Sequence, residues 1–171
     1  DVWFSREMLE RGNERLFTEA RRRNVTTSLD INYDPCWSST AVDMIAHRKQ
    51  LLRRVLPWVD LAHGNTRELC EFTDRSDLAG ALGQLEDWGV QAVVVHLGSR
   101  GAGFYCAGKL TVEPPDRAHE PVNSTGTGDV LSVCMILLHA RQDLSISEKL
   151  RTANQVVREF MEGRRKMIPE L

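Results

Sequence analysis

The chain has 171 residues, with 24 acidic against 22 basic side chains and a net charge of −2. That length suits one domain over residues 1–171 with a sizeable core, and a near-balanced charge with scattered arginines gives no basic footprint for nucleic acid. No apolar run approaches the ~20 residues of a membrane span, and Cys36, Cys70, Cys106 and Cys134 form no CxxC pair, which argues against zinc and a disulfide scaffold and predicts a reduced, cytoplasmic setting.

The chain starts at Asp1 without methionine or signal peptide and enters a helical pattern at once, as expected of a fragment, a cleaved product or a trimmed form. Leu9, Leu16 and Ala20 recur at helical spacing over residues 5–23, with Ser5 as cap and Asn24 as stop. A strand over 25–32 then ends in a polar group that includes Asp30, Asn32 and Asp34. A helix over 40–56 stops at Pro57, a strand follows over 58–62, and His63-Gly64-Asn65 reads as a turn. Helices are predicted over 66–73 and from Leu78 to Trp88, the latter closed by Gly89. The continuous apolar run 92–97 reads as a strand covered on both faces, as in a parallel sheet. Residues 102–107 and 109–113 read as a hairpin about Gly108, and 114–121 as a loop. Two helices finish the pattern, one opening near Asp129 and one capped by Ser147 and bearing Leu150, Ala153, Val157 and Met161. Helices alternating with strands favour a layered α/β fold.

Within that pattern the run Asn123-Ser124-Thr125-Gly126-Thr127-Gly128-Asp129 carries the most chemistry. Its glycines let backbone N–H groups of Gly126, Thr127 and Gly128 face an anion at a helix start, and Asp129 stands beside them in the first turn, placed to take a proton from a hydroxyl during phosphoryl transfer. A plain strand-to-helix turn capped by Thr125 or Thr127 would read the same. Three further polar clusters fall at strand ends, at 30–34, 64–68 and 98–103, where ligands of open α/β sheets gather. Asn65 and Glu68, one helical turn apart, can order magnesium through its water shell, and Asn65 could equally be a helix N-cap. Gly98, Ser99 and Gly101 let the backbone pass close to a nucleotide, or simply turn the chain. His96 reads as a core or rim histidine, and no GxGxxG follows the first strand to support a dinucleotide fold.

Taken in order, Leu29-Asp30-Ile31-Asn32-Tyr33 with Trp37, Gly64-Asn65-Thr66-Arg67-Glu68, Leu97-Gly98-Ser99-Arg100-Gly101-Ala102-Gly103 and the run 123–129 resemble the blocks of the PfkB/ribokinase family of carbohydrate and nucleoside kinases. The resemblance runs from the first helix to about Asn154. It implies a three-layer αβα sandwich with a mostly parallel central sheet, and no counterpart here for the family's N-terminal half and lid. It implies ATP as donor with Mg2+, Asp129 as general base, the 126–128 turn as anion hole, Asn65 and Glu68 in the NxxE element, Ser99 and Gly101 along the triphosphate and ribose, and Asn154 by the adenine. The implied substrate is a small-molecule sugar or sugar acid, with neither nucleic acid nor membrane as partner and a homodimer open as an assembly. Departures from the family pattern are Thr127 and Cys134 at positions that prefer a smaller residue, and Asp34 where an arginine usually follows the Asp-x-Asn block. A non-catalytic nucleotide-binding or interaction module of the same fold is the second reading.

Overall fold

In the computed structural model, residues 6–32, 41–116, 118 and 125–164 are described. The predictions made for Ser5, Tyr33, Asp34, Cys36, Trp37, Asn123 and Ser124 lie outside them. Among the described residues are five strands, β1 (Ser28–Asp30), β2 (Leu61–Asn65), β3 (Ala92–His96), β4 (Ala102–Cys106) and β5 (Lys109–Glu113), in a mixed sheet of that order. Six α-helices accompany them: α1 (Asn13–Arg22), α2 (Val42–Arg53), α3 (Thr66–Thr73), α4 (Leu78–Asp87), α5 (Thr127–His139) and α6 (Ile146–Met161). Two compact units result, one from residues 1–62 and 67–91, the other from 63–66 and 92–171. Among the described residues no helix is long and apolar enough to cross a membrane.

In the first unit the leading helix differs from its prediction. A π-helical turn over Met8–Gly12 precedes α1, and the buried positions are Leu9, Asn13 and Phe17, while Leu16 is exposed. One extra residue in a π turn rotates everything after it by about 100°, which carries Leu16 off the buried face. Asn24 ends the helix with a positive φ of 56°, as expected of a residue that tolerates that region. The core collects Leu52, Val55, Leu56, Leu69, Phe72, Leu82 and Leu85, and Trp88 meets Phe72 edge-on at 5.8 Å while Arg53 stacks over it at 4.4 Å. Thr27 and Asp60 tie the entry to β1, with the Thr27 N–H donating to Asp60 Oδ2 at 2.8 Å and Arg21 pairing with Asp60 Oδ1 at 2.9 Å.

The strand placed at 58–62 is corrected to Leu61–Asn65. A 3-10 turn over Leu56–Trp58 takes up the residues around Pro57, so the extended segment starts later. His63 and Gly64, expected in a turn, are buried strand residues. Polar character at His63 suggested exposure; a neutral imidazole can be buried in a strand covered on both faces.

In the second unit β3, β4 and β5 form an antiparallel meander, with Val94 opposite Phe104 and Phe104 opposite Thr111. The expected hairpin is present, turned by Ala107 and Gly108, both at positive φ. Ala92 to Val95 are all buried, as predicted, but β3 gains that burial with an antiparallel neighbour and α5 packed against it. Helices α5 and α6 pack on each other, and α6 lies on β4 and β5. Buried Lys149 donates to the His139 carbonyl at 3.3 Å, placing a cation on the C-terminal end of α5. The α6 cap is corrected from Ser147 to Ser145. Ser145 Oγ accepts from the Glu148 N–H at 3.3 Å while Glu148 Oε2 accepts from the Ser145 N–H at 2.8 Å, and this reciprocal box outranks the lone serine nearer the apolar stripe.

Candidate functional site

Within the second unit, a cavity of about 590 Å³ opens where the turn after β3, the start of α5, the exit of β5 and one face of α6 meet. Gly98, Ser99 and Gly101 come from the first of these, Thr127 and Gly128 from the second, and Asn154 from α6. Six residues singled out in the sequence, drawn from three separate segments, therefore share one cavity.

The floor of the cavity is the α5 start. Gly126 occupies the N-cap position in the left-handed region, φ 85° and ψ 2°, and no side chain caps the helix there. The N-cap position, for which Thr125 or Thr127 was the alternative reading, is held by Gly126, and glycine supplies the left-handed conformation there. Thr127 and Gly128, in the first turn of α5, line the cavity, at the end of the helix where the opening N–H groups have no carbonyl of a preceding turn. Asp129 is exposed in the first turn, its Oδ2 3.9 Å from where a Cβ on Gly126 would stand. The carboxylate and the glycine turn therefore belong to one small constellation.

The opposite wall is a strap at the exit of β5. Asn154, buried, donates its amide to the Pro114 carbonyl at 2.9 Å and to that of Glu113 at 3.3 Å, and Arg158 pairs with Asp116 at 2.8 Å. Spaced along one face of α6, these side chains hold the strap against the helix. Gly101, at φ 95°, lets the strap pass on its other side, since a Cβ there would come within 2.7 Å of the Pro114 carbonyl carbon. The Asn154 amide nitrogen is thus committed to the strap. Val157 and Met161, expected on the last helix, are half-buried and line the cavity, giving it an apolar side with Pro115 and Ala118.

His96 was read as a core or rim residue, and it lines the cavity. Its Nε2 lies 3.1 Å from Ser132 Oγ, and a Cβ on Gly128 would stand 3.1 Å from its Nδ1. The His63 ring lies 6.5 Å away, centroid to centroid, and burial, reinforced by His96, pushes the His63 imidazole down to about 3. The only sequence signal for His96 was its place one residue ahead of Leu97-Gly98.

Asn65 ends β2 and Glu68 lies in the first turn of α3. Neither lines the cavity. Among the described residues no group of three or more His, Cys, Asp or Glu side chains forms a metal cage.

A sequence profile described as "pfkB family carbohydrate kinase" matches residues 5–157. A cytidine kinase of Thermococcus kodakarensis is 32% identical over 87 residues, covering 50% of this chain and 31% of the relative. Among solved structures, a putative ribokinase II from E. coli in complex with ATP and Mg2+ superposes with a TM-score of 0.78 at 21% identity, over 93% of this chain and 49% of that one. The Arabidopsis thaliana ribokinase complexed with ribose and ATP gives 0.72 at 21% identity, over 88% and 46%. The chain spans about half the length of those solved relatives and a third of the curated one.

Proposed function

The chain belongs to the pfkB family of carbohydrate kinases, and from that premise we propose that it carries the nucleotide-binding and phosphoryl-transferring part of an ATP-dependent kinase acting on a hydroxyl of a sugar or sugar acid. The observation that supports this most is the single cavity joining the uncapped, glycine-opened start of α5 to the Gly98–Gly101 turn and to α6. Phosphates would lie on the Gly126, Thr127 and Gly128 N–H groups, with Ser99 and Gly101 along the triphosphate and ribose and the base between the strap and Val157.

In the reaction, Asp129 takes the proton of the acceptor hydroxyl as its oxygen bonds to the γ-phosphorus. The bond from that phosphorus to the β–γ bridging oxygen breaks, and ADP leaves. The helix-start N–H groups face the negative charge on the transferring group. Thr127 retains its N–H, so the departure from the family's smaller residue leaves the cradle's donors in place. Magnesium, when bound, neutralises phosphate charge; Asn65 and Glu68 are assigned to its water shell from their sequence element.

Calorimetric titration with magnesium ATP tests the site, with micromolar to millimolar binding expected. ADP production by the naturally expressed chain is then measured with sugars, sugar acids and nucleosides in turn. No magnesium ATP binding removes the proposal; binding without turnover on any acceptor class supports the non-catalytic module instead.

A further inference from the structure

We infer that His96 is the positioning residue that fixes the start of α5 beneath the phosphates, an inference that rests on the proposed role of that turn. The imidazole engages α5 at two points four residues apart. Its Nε2 is hydrogen-bonded with Ser132 Oγ at 3.1 Å, and its Nδ1 edge fills the space that a side chain at Gly128 would need. Residues four apart lie on one face of a helix, so the two contacts together set both the rotation of the first turn and its height above β3.

The ring suits that task because it is planar and rigid, and because it is anchored. His96 closes β3, whose preceding residues Val93, Val94 and Val95 are buried at 1% exposure or less. Ser132 is buried, at 6% exposure, so its end of this part-buried hydrogen bond is fixed by packing within α5. With one ring nitrogen on Ser132 and the other against Gly128, His96 acts through the helix start and not as the base. Gly128 thus admits the ring through its missing Cβ while it lines the cavity.

Such a strut acts on phosphates and not on the base, whose walls belong to the strap and α6. The test compares affinities for magnesium ATP and for AMP, which lacks the β and γ phosphates, by calorimetry on the naturally expressed chain. His96→Ala and His96→Asn are expected to weaken magnesium ATP about five- to tenfold with AMP changed by less than about twofold, and Ser132→Ala to weaken it about threefold. His96→Gln, whose longer amide reaches the Ser132 hydroxyl, is expected to stay within about twofold of the unaltered chain. Equal losses for ATP and AMP, or His96→Gln falling as far as His96→Asn, would overturn the assignment. Should His96→Ala fail to fold, Ser132→Ala and His96→Gln decide the matter by the same ratio. No magnesium ATP binding by the unaltered chain would remove the proposed function and this inference together, whereas binding with an unmoved ATP-to-AMP ratio removes this inference alone.

Discussion

Two helices of the same unit begin in opposite ways. At α6, Ser145 and Glu148 close a reciprocal box, and the hydrogen bonds from Ser145 hold the Glu148 carboxyl below its usual range. At α5, Gly126 turns the chain through the left-handed region, no side chain caps the helix, and the acidic residue of the first turn, Asp129, is exposed. The first helix spends its carboxylate and hydroxyl on its own N–H groups; the second leaves those donors beside a cavity of about 590 Å³. A capped start stabilises the fold, whereas an open start next to a cavity retains its donors and dipole for an anion.

The largest expected effect separates the two first-turn carboxylates. Asp129→Asn should lower phosphoryl transfer by roughly 10²- to 10⁴-fold, the span of a lost general base, while magnesium ATP affinity stays within about twofold. Glu148→Gln should leave transfer within about twofold of the unaltered chain. Steady-state ADP release together with calorimetry reads both, and equal losses of turnover would erase the distinction between the helix starts.

Acid should undermine the open start before the capped one. His63 stands beside His96, which is hydrogen-bonded with Ser132 of α5, and burial pushes the His63 imidazole down to about 3 from an ordinary value of 6.5. The unfolded chain therefore binds the extra proton first, so this contribution is whole above about 6.5 and drains away as pH falls towards 3, the loss amounting to about 2 kcal/mol by pH 5. The Glu148 carboxyl is lowered as well, and its contribution is present above the ordinary carboxylate range and lost only in stronger acid. Urea unfolding at pH 7 and pH 5 should show this drop, and His63→Gln should flatten it; an equal slope in the variant would remove His63 as its source.

What could be read from the sequence follows from how local the physics is. The α5 turn and the Gly98–Gly101 turn were legible because glycines at fixed spacing, a carboxylate and a following apolar helix are all contained in a few residues. The hairpin about Gly108 was legible for the same reason. His96 and Ser132 are separated by 36 residues, and the Asn154 amide reaches a carbonyl 40 residues away, so neither contact leaves a periodic trace. His63 was misplaced in a turn because burial of an imidazole is decided by what packs around it. The Ser145 box is local too, and its S-x-x-E spacing precedes the apolar stripe at Leu150, to which Ser147 stands nearer.

The finest comparison uses two alanines of matched cost. A Cβ on Gly126 would lie 3.7 Å from Phe160 Cζ, an ordinary contact, so Gly126→Ala meets no clash and pays only for holding an L residue at φ 85°. That strain is roughly 1–2 kcal/mol. Ser145→Ala removes the α6 box and costs about 1 kcal/mol. Thermal unfolding should therefore rank the two variants close together. Their nucleotide affinities should part: relaxation of Gly126 out of the left-handed region swings the first N–H groups of α5 away from the cavity, weakening magnesium ATP several-fold, while loss of the Ser145 cap touches no donor there. If Ser145→Ala weakens magnesium ATP as much as Gly126→Ala does, affinity follows the stability of the unit as a whole, and the open helix start has no separate claim on the anion.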